Sequence, residues 1–320
     1  MGKASEWNSF FEDNHRYADL INGIGCGGVQ FVKDTDLMEA DSTEKSKSRD
    51  LLRKVAFGVN FAIIGIENQE KNDYEMPLRT LSYDVNRYQK QAKKIKKEVR
   101  TNPTGLTSGE YLYGFKKDSK LNPIITFVLY AGTEKWDGPN SLHDMIDFTE
   151  LPESLKEMVP DYKVNIINIR EFENTDVFQT DVKQVFDFIR CSTDKEKLLH
   201  LVKNDNYYKE MADDAFELVT KYTNDKEIVN KKEYISEGGK SDMCKAIQDL
   251  IADSKAKGRE EGREEGREEG REEGREEGRE EALMTAARNL LDILSDEVIA
   301  EKLGVSLQQV QELRRSLLAN

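Results

Sequence analysis

The feature that most constrains this chain is the stretch Gly258–Glu281, six perfect copies of Gly-Arg-Glu-Glu. A four-residue period drifts ~40° per copy against the 3.6-residue helical turn, so no face stays constant along it. The copies contain no apolar residue, which removes any buried seam. A Glu three residues before an Arg, as in Glu260 and Arg263, adds ~0.3 kcal/mol, whereas each Gly costs ~1 kcal/mol relative to Ala. The glycines win. The spacing therefore predicts at best a marginal, solvated helix, ~36 Å long if fully formed. It reads either as a spacer setting reach between two parts or as an expansion within a surface linker.

The folded parts must lie on either side. Residues 1–188 alternate apolar runs with turn signals, the mark of a mixed α/β domain. Residues 189–257 set Leu198, Leu199, Leu201, Met211, Ala215, Phe216 and Val219 among charged side chains, which predicts a helical extension. Residues 258–281 are the linker, and 282–320 a small helical hairpin. In that tail Asp296–Leu303 reads as a helix stopped by Gly304, Ser306 as an N-cap, and Leu307–Leu318 as a second helix. Val298, Ile299 and Leu303 would pack on Val310, Leu313 and Leu317. The outline is that of a helix-turn-helix, with Gln308, Gln309, Gln311, Arg314 and Arg315 available to a groove. Only two arginines decorate the second helix, so packing or homo-oligomer formation is the favoured use.

The net charge is −14, and the repeat contributes −6 of it, leaving the rest of the chain at −8. An acidic chain binds nucleic acid only through a local basic patch. The apolar runs Val59–Ile66 and Ile124–Ala131 fall far short of the ~20 residues of a membrane span. No basic-then-apolar leader opens the sequence, and the three cysteines are unclustered, so a cytoplasmic protein with reduced thiols is expected. His15, His143 and His200 are scattered, with no nucleophilic Ser or Cys placed beside them. The glycine-rich stretch Asn22–Gly28 lacks the Gly-Lys-Ser/Thr ending of a phosphate loop and reads as a flexible turn.

Chemistry concentrates between residues 49 and 100. Arg49–Phe57 and Phe61–Glu67 flank the turn signal Gly58-Val59-Asn60 and read as an antiparallel hairpin. That pairing brings Asp50 and Glu67 to one edge, with Gln69 just beyond. Two converging carboxylates are hard oxygen ligands suited to Mg2+. A helix then begins at Met76-Pro77, with Leu81, Val85, Tyr88, Ala92 and Ile95 as its core face. Arg79 and Tyr83, four apart on another face, lie near the carboxylate edge if the helix starts soon after that strand. Further along come Arg87, Lys90, Lys93, Lys94, Lys96, Lys97 and Arg100, opposed only by Glu98. This run is the local basic patch a DNA partner would need.

Taken in order, Asp50-Leu51-Leu52, Gly65-Ile66-Glu67-Asn68-Gln69, Met76-Pro77-Leu78-Arg79 and Tyr83 resemble the recombination-promoting nuclease, or transposase, family of the PD-(D/E)XK nuclease superfamily. The likeness extends upstream to Arg16–Asn22 and downstream to Ile125–Gly132 and Trp136–Pro139. The resemblance implies an αβββαβ core with a mixed sheet that cuts DNA with Mg2+, Mn2+ and Ca2+ being the other candidate ions. Asp50 and Glu67 match the family's metal-binding acids. Gln69 stands where the wider superfamily usually has Lys; an amide can neither carry that charge nor take a proton from water. Glutamine is nevertheless frequent at this position within the family. The expectation is a DNA endonuclease associated with recombination or mobile elements. The competing expectations are an inactive DNA-binding protein on the same fold and, more weakly, a structural self-associating protein.

Overall fold

The structure is a computed structural model that describes residues 3–39, 51–57, 60–223, 234 and 240–318. It divides into two compact units, Met1–Leu250 and Ile251–Asn320.

In the first unit, helices α1 (Lys3–Phe10) and α2 (Asn14–Cys26) precede strands β1 (Leu37–Glu39), β2 (Leu51–Phe57) and β3 (Asn60–Gln69). Helices α3 (Met76–Thr101) and α4 (Ser108–Tyr113) lead to β4 (Ile124–Tyr130), then α5 (Glu153–Lys156) and β5 (Asn165–Asn168). Helices α6 (Val182–Cys191), α7 (Lys195–Asn204) and α8 (Asp213–Thr220) follow. The five strands lie in the order β1-β2-β3-β4-β5, antiparallel through β1-β2-β3 and parallel through β3-β4-β5. The expected hairpin is present: Phe57 pairs with Asn60 and Leu51 with Ile66.

Strand alternation assigns the two faces of the sheet. Ile64, Ile66 and Phe127 share the face covered by α2, whose Tyr17 hydroxyl donates to the Ile64 carbonyl at 2.8 Å. The stretch Asn22–Cys26, expected as a flexible turn, is instead the last part of α2. The helix ends one residue later at Gly27 (φ 61°), and the buried Asn22 side chain ties it to the backbone of Phe31 and Val32. Gly23 lets the Phe178 ring lie against α2: a Cβ there would lie 2.2 Å from Phe178 Cε1.

On the opposite face lie Glu67, Gln69, Thr126, Val128 and Tyr130, with α3 over them. The expected core face of α3 needs correction. Val85 is 42% exposed and Leu81, Tyr88, Ala92 and Ile95 are only half-buried, whereas Thr80, Asp84 and Arg87 are buried. The polar side turns inward because the sheet offers it partners. Asp84 accepts from Thr126 Oγ1 at 3.0 Å and from the Tyr162 hydroxyl at 2.6 Å. The Tyr88 hydroxyl accepts from the Ile124 amide, and Gln91 exchanges bonds with Asn122.

Residues beyond 188 pack into this same unit. Arg16 of α2 ion-pairs with Asp181 through two 2.7 Å bonds and with Asp214 of α8. Burial opposes the Arg16 charge, yet the hydrogen bonds it donates to these two carboxylates hold its pKa above the ordinary value. Buried Asp19 accepts from the Gln179 and Thr180 amides and the Thr180 hydroxyl. Trp7, Phe10 and Phe11 form an aromatic cluster with Tyr222.

The helix α9 runs Met243–Leu290 and is followed by α10 (Asp296–Leu303) and α11 (Leu307–Leu318). The repeat is continuous helix, and every residue from 258 to 281 is exposed. Helix propagation needs no new nucleus once either end is ordered, which lets the glycines be carried. In the second unit α10 and α11 pack on one another through Ile299, Leu303, Val310 and Leu313, and residues before α10 join the same core. The buried core there is Ala287 of α9, Leu291 in the turn just after it, Ile299 of α10 and Val310 of α11. Val298 and Leu317, expected inside, are 37% and 43% exposed. Ser306 does cap α11, in a reciprocal pair with Gln309, and Arg314 binds Asp296 at 2.7 Å. Among the described residues no helix is long and apolar enough to cross a membrane.

Candidate functional site

The central strand β3 carries the site. It is hydrogen-bonded to β2 on one side and β4 on the other, which fixes its backbone along its length. Glu67 and Gln69 are two apart, so both side chains rise from the same face near the strand's C-terminal end. Glu67 is 8% exposed, an unusual position for a carboxylate unless it is paired. The pairing comes from α3. Arg79 Nη2 lies 2.8 Å from Glu67 Oε1 and 3.0 Å from Gln69 Oε1, while Nη1 lies 2.6 Å from Asp73 Oδ2. One planar guanidinium thus ties the strand end, the β3–α3 turn and the helix together. The Gln69 amide is oriented as well, since its Nε2 donates to the Lys71 carbonyl at 2.8 Å.

The Trp136–Pro139 segment closes over this edge. Asn72 exchanges bonds with the Lys135 carbonyl and the Asp137 amide, and the Tyr74 hydroxyl donates to Asp137. That hydrogen bond raises the Tyr74 pKa above its ordinary value. Trp136 packs edge-on against Tyr130. Gly132 is required where it stands, because a Cβ would meet the Tyr130 hydroxyl at 2.3 Å and the Glu70 carbonyl at 2.5 Å. Beside this edge is a cavity of about 580 Å³ lined by residues including Lys71, Tyr74, Glu134 and Arg170. Burial lowers the Arg170 pKa, and its guanidinium donates to the carbonyls of Ala131 and Ile189.

Of the residues singled out in the sequence, Glu67, Gln69 and Arg79 come together directly. Tyr83 follows Arg79 by one turn of α3 and is half-buried. Asp50 lies outside the described residues. Lys93, Lys94, Lys96 and Lys97 are exposed along the distal part of α3, with Lys90 half-buried. Arg87 is not part of that basic face; it is 4% exposed and turned inward. Sequence reasoning missed Asp73, the third partner of Arg79, and the buried Asp84–Thr126–Tyr162 cluster. The signal for Asp84 was its spacing with Thr80 and Arg87, a polar stripe on a helix otherwise read for its apolar one. Among the described residues no three His, Cys, Asp or Glu side chains converge as a metal-ligand set.

The family model described as Putative transposase, YhgA-like matches residues 39–204. The chain belongs to that family. No curated protein and no solved structure gives a significant match. The matched span of this YhgA-like chain runs from the end of β1 through α7. It therefore takes in Glu67, Gln69, Asp73 and Arg79, the basic stretch of α3 and the Trp136–Pro139 closure.

Proposed function

We propose that this protein is a metal-dependent DNA endonuclease with a PD-(D/E)XK-type core, acting in recombination or on mobile elements. The observation that carries the reading is the buried Glu67 carboxylate beside Gln69 at the end of a central strand, bridged by Arg79. The order α2, β1–β3, α3, β4 is compatible with an αβββαβ core, and a transposase family implies a DNA partner.

The donor set at this edge is made of oxygens, which suits a hard divalent ion such as Mg2+, or Mn2+ or Ca2+ in its place. Mg2+ keeps several of its waters, so few protein ligands suffice. Glu67, Gln69 through its amide oxygen, and Asp50 on the strength of the sequence would hold it. When bound, such an ion polarises a phosphodiester and lowers the pKa of an attacking water. The chain's own residues do the rest. Glu67 holds negative charge where water has limited access. Gln69 orients through its oxygen and takes no proton. Arg79 has five donors in a rigid fork, so it can keep Asp73 through Nη1 while Nη2 exchanges its bonds to Glu67 and Gln69 for one to a phosphate.

A plasmid-nicking assay tests this. The wild type should nick with Mg2+ or Mn2+ and stop on chelation, and Glu67→Gln should be inactive. Cleavage by Glu67→Gln at the wild-type rate would overturn the assignment. The second reading, a DNA-binding protein without chemistry, is favoured by Arg79 already occupying oxygens of both Glu67 and Gln69. Such a protein would retard DNA in gels with or without metal and cut none.

A further inference from the structure

The short helix α4 carries three consecutive large side chains in solvent: Tyr111, Leu112 and Tyr113 are 72%, 69% and 70% exposed. Singly exposed apolar residues need no explanation, but three together beside an apolar cleft do. The cleft, about 390 Å³, is lined by Val99, Arg100, Pro103, Leu106 and Tyr111. The helix is held firmly. Thr107 and Glu110 cap it reciprocally, and Glu110 Oε1 also accepts the Lys117 amide at 2.9 Å. At its other end Gly114 sits against α3, where a Cβ would lie 3.4 Å from Arg100 Nε and 3.6 Å from Lys96 Cγ.

Charge decides what this patch fits. Between Lys90 and Lys120 there are nine Lys and Arg against three acids, in a chain whose net charge is −14. Protein interfaces are depleted of Lys at their centres, whereas surfaces for single-stranded nucleic acid combine cations with exposed aromatic rings. Successive helical residues point ~100° apart, so Tyr111 and Tyr113 do not share a face. A paired duplex hides the flat faces of its bases and cannot reach both rings. An unpaired strand crossing the helix tip can.

We propose that α4 and the distal part of α3 bind unpaired DNA, with Tyr111 and Tyr113 stacking on bases and Lys96, Lys97 and Arg100 holding phosphates. The choice of DNA rests on the function proposed above; the stacking argument does not. From Arg79 to Arg100 is about 32 Å along α3, so the strand is gripped far from Glu67.

The test uses the full chain, in chelator so that no cleavage intervenes, and fluorescence anisotropy with three probes. These are an oligothymidine strand, a duplex of equal length, and an abasic strand with the same phosphates. The wild type should bind the oligothymidine at least about tenfold more tightly than the abasic strand. Tyr111→Ala/Tyr113→Ala should abolish that difference and leave duplex binding within about twofold, while the Phe double variant keeps it. Equal binding of the abasic strand by the wild type, or unchanged preference in the Ala variant, overturns the inference. So does a change in sedimentation of the Ala variant with no change in strand binding, which would make the patch a protein contact. Failure here leaves the Glu67 assay untouched, and unchanged cleavage by Glu67→Gln leaves this inference standing.

Discussion

Arg79 Nη2 lies 2.8 Å from Glu67 Oε1, so the acid best placed to hold a metal is held by a cation of the chain itself. A divalent ion bound as proposed above would compete with the guanidinium for one oxygen. Removing the guanidinium should therefore cost stability and ease metal entry together. Arg79→Ala is expected to lose about 1–3 kcal/mol in urea unfolding, since it strips a charged hydrogen bond from a buried carboxylate. Mg2+ should then raise the Tm of the variant more than that of the wild type. Equal shifts would mean that the ion does not bind where Arg79 does.

The basic face of α3 gives a second expectation. Neutralising Lys93, Lys94, Lys96 and Lys97 should weaken duplex binding and flatten its salt dependence, because each phosphate contact adds about 0.9 to the slope of log K against log salt. An unchanged slope would make this a solvated surface.

Trp7 donates to the Tyr222 hydroxyl at 2.8 Å, and Arg16 binds both Asp181 and Asp214. The N-terminal helices thus need partners from beyond residue 188. A chain of residues 1–257 should melt cooperatively near the temperature of the full protein, whereas 1–188 should show no cooperative transition. A folded 1–188 fragment would show these contacts to be dispensable.

Arg16 itself is 7% exposed and faces two carboxylates. Breaking a buried ion pair by removing one partner typically costs about 3–5 kcal/mol. Arg16→Met should approach that figure in urea unfolding, and Asp214→Asn, at the more exposed partner, should cost clearly less.

Glu110 supplies a pH dependence. Hydrogen bonds from the Lys117 and Thr107 amides and the Thr107 hydroxyl lower its pKa to about 2. The folded value is depressed, so the stabilisation is complete above the ordinary value of 4.5 and fades as pH falls toward 2. The amide resonances of Thr107 and Lys117 should titrate together with a midpoint near that lower value, and Glu110→Gln should remove the titration. A midpoint near 4.5 would mean that the cap does not form in solution.

What was legible in the sequence was mostly local. The β2–β3 hairpin, the start of α3 at Met76-Pro77 and the β4 strand are written in short runs and turn residues. The buried face of α3 was not, because periodicity assumes that the apolar side turns inward. Here Asp84 finds Thr126 and Tyr162, partners 42 and 78 residues away that no local window contains. Asp73 escaped notice for a related reason: its role exists only once Arg79 has been placed. In the tail, Ser306 announces its own cap, while Leu291 lies in the turn just beyond α9 and Ala287 near the end of that helix, whose repeat residues 258–281 bury nothing.

Those residues have a consequence for how the chain can change. None of positions 258–281 is buried, and the bond from Gln309 to Glu280 touches only the last copy, so no buried contact registers how many copies of Gly-Arg-Glu-Glu are present. Losing or gaining a copy removes or adds four residues and about 6 Å of helix, and disturbs no core. Length at this point is therefore a nearly neutral variable, free to drift in whole repeats, whereas at Gly132 or Gly23 even one added methyl group would lie 2.3 or 2.2 Å from a neighbouring atom.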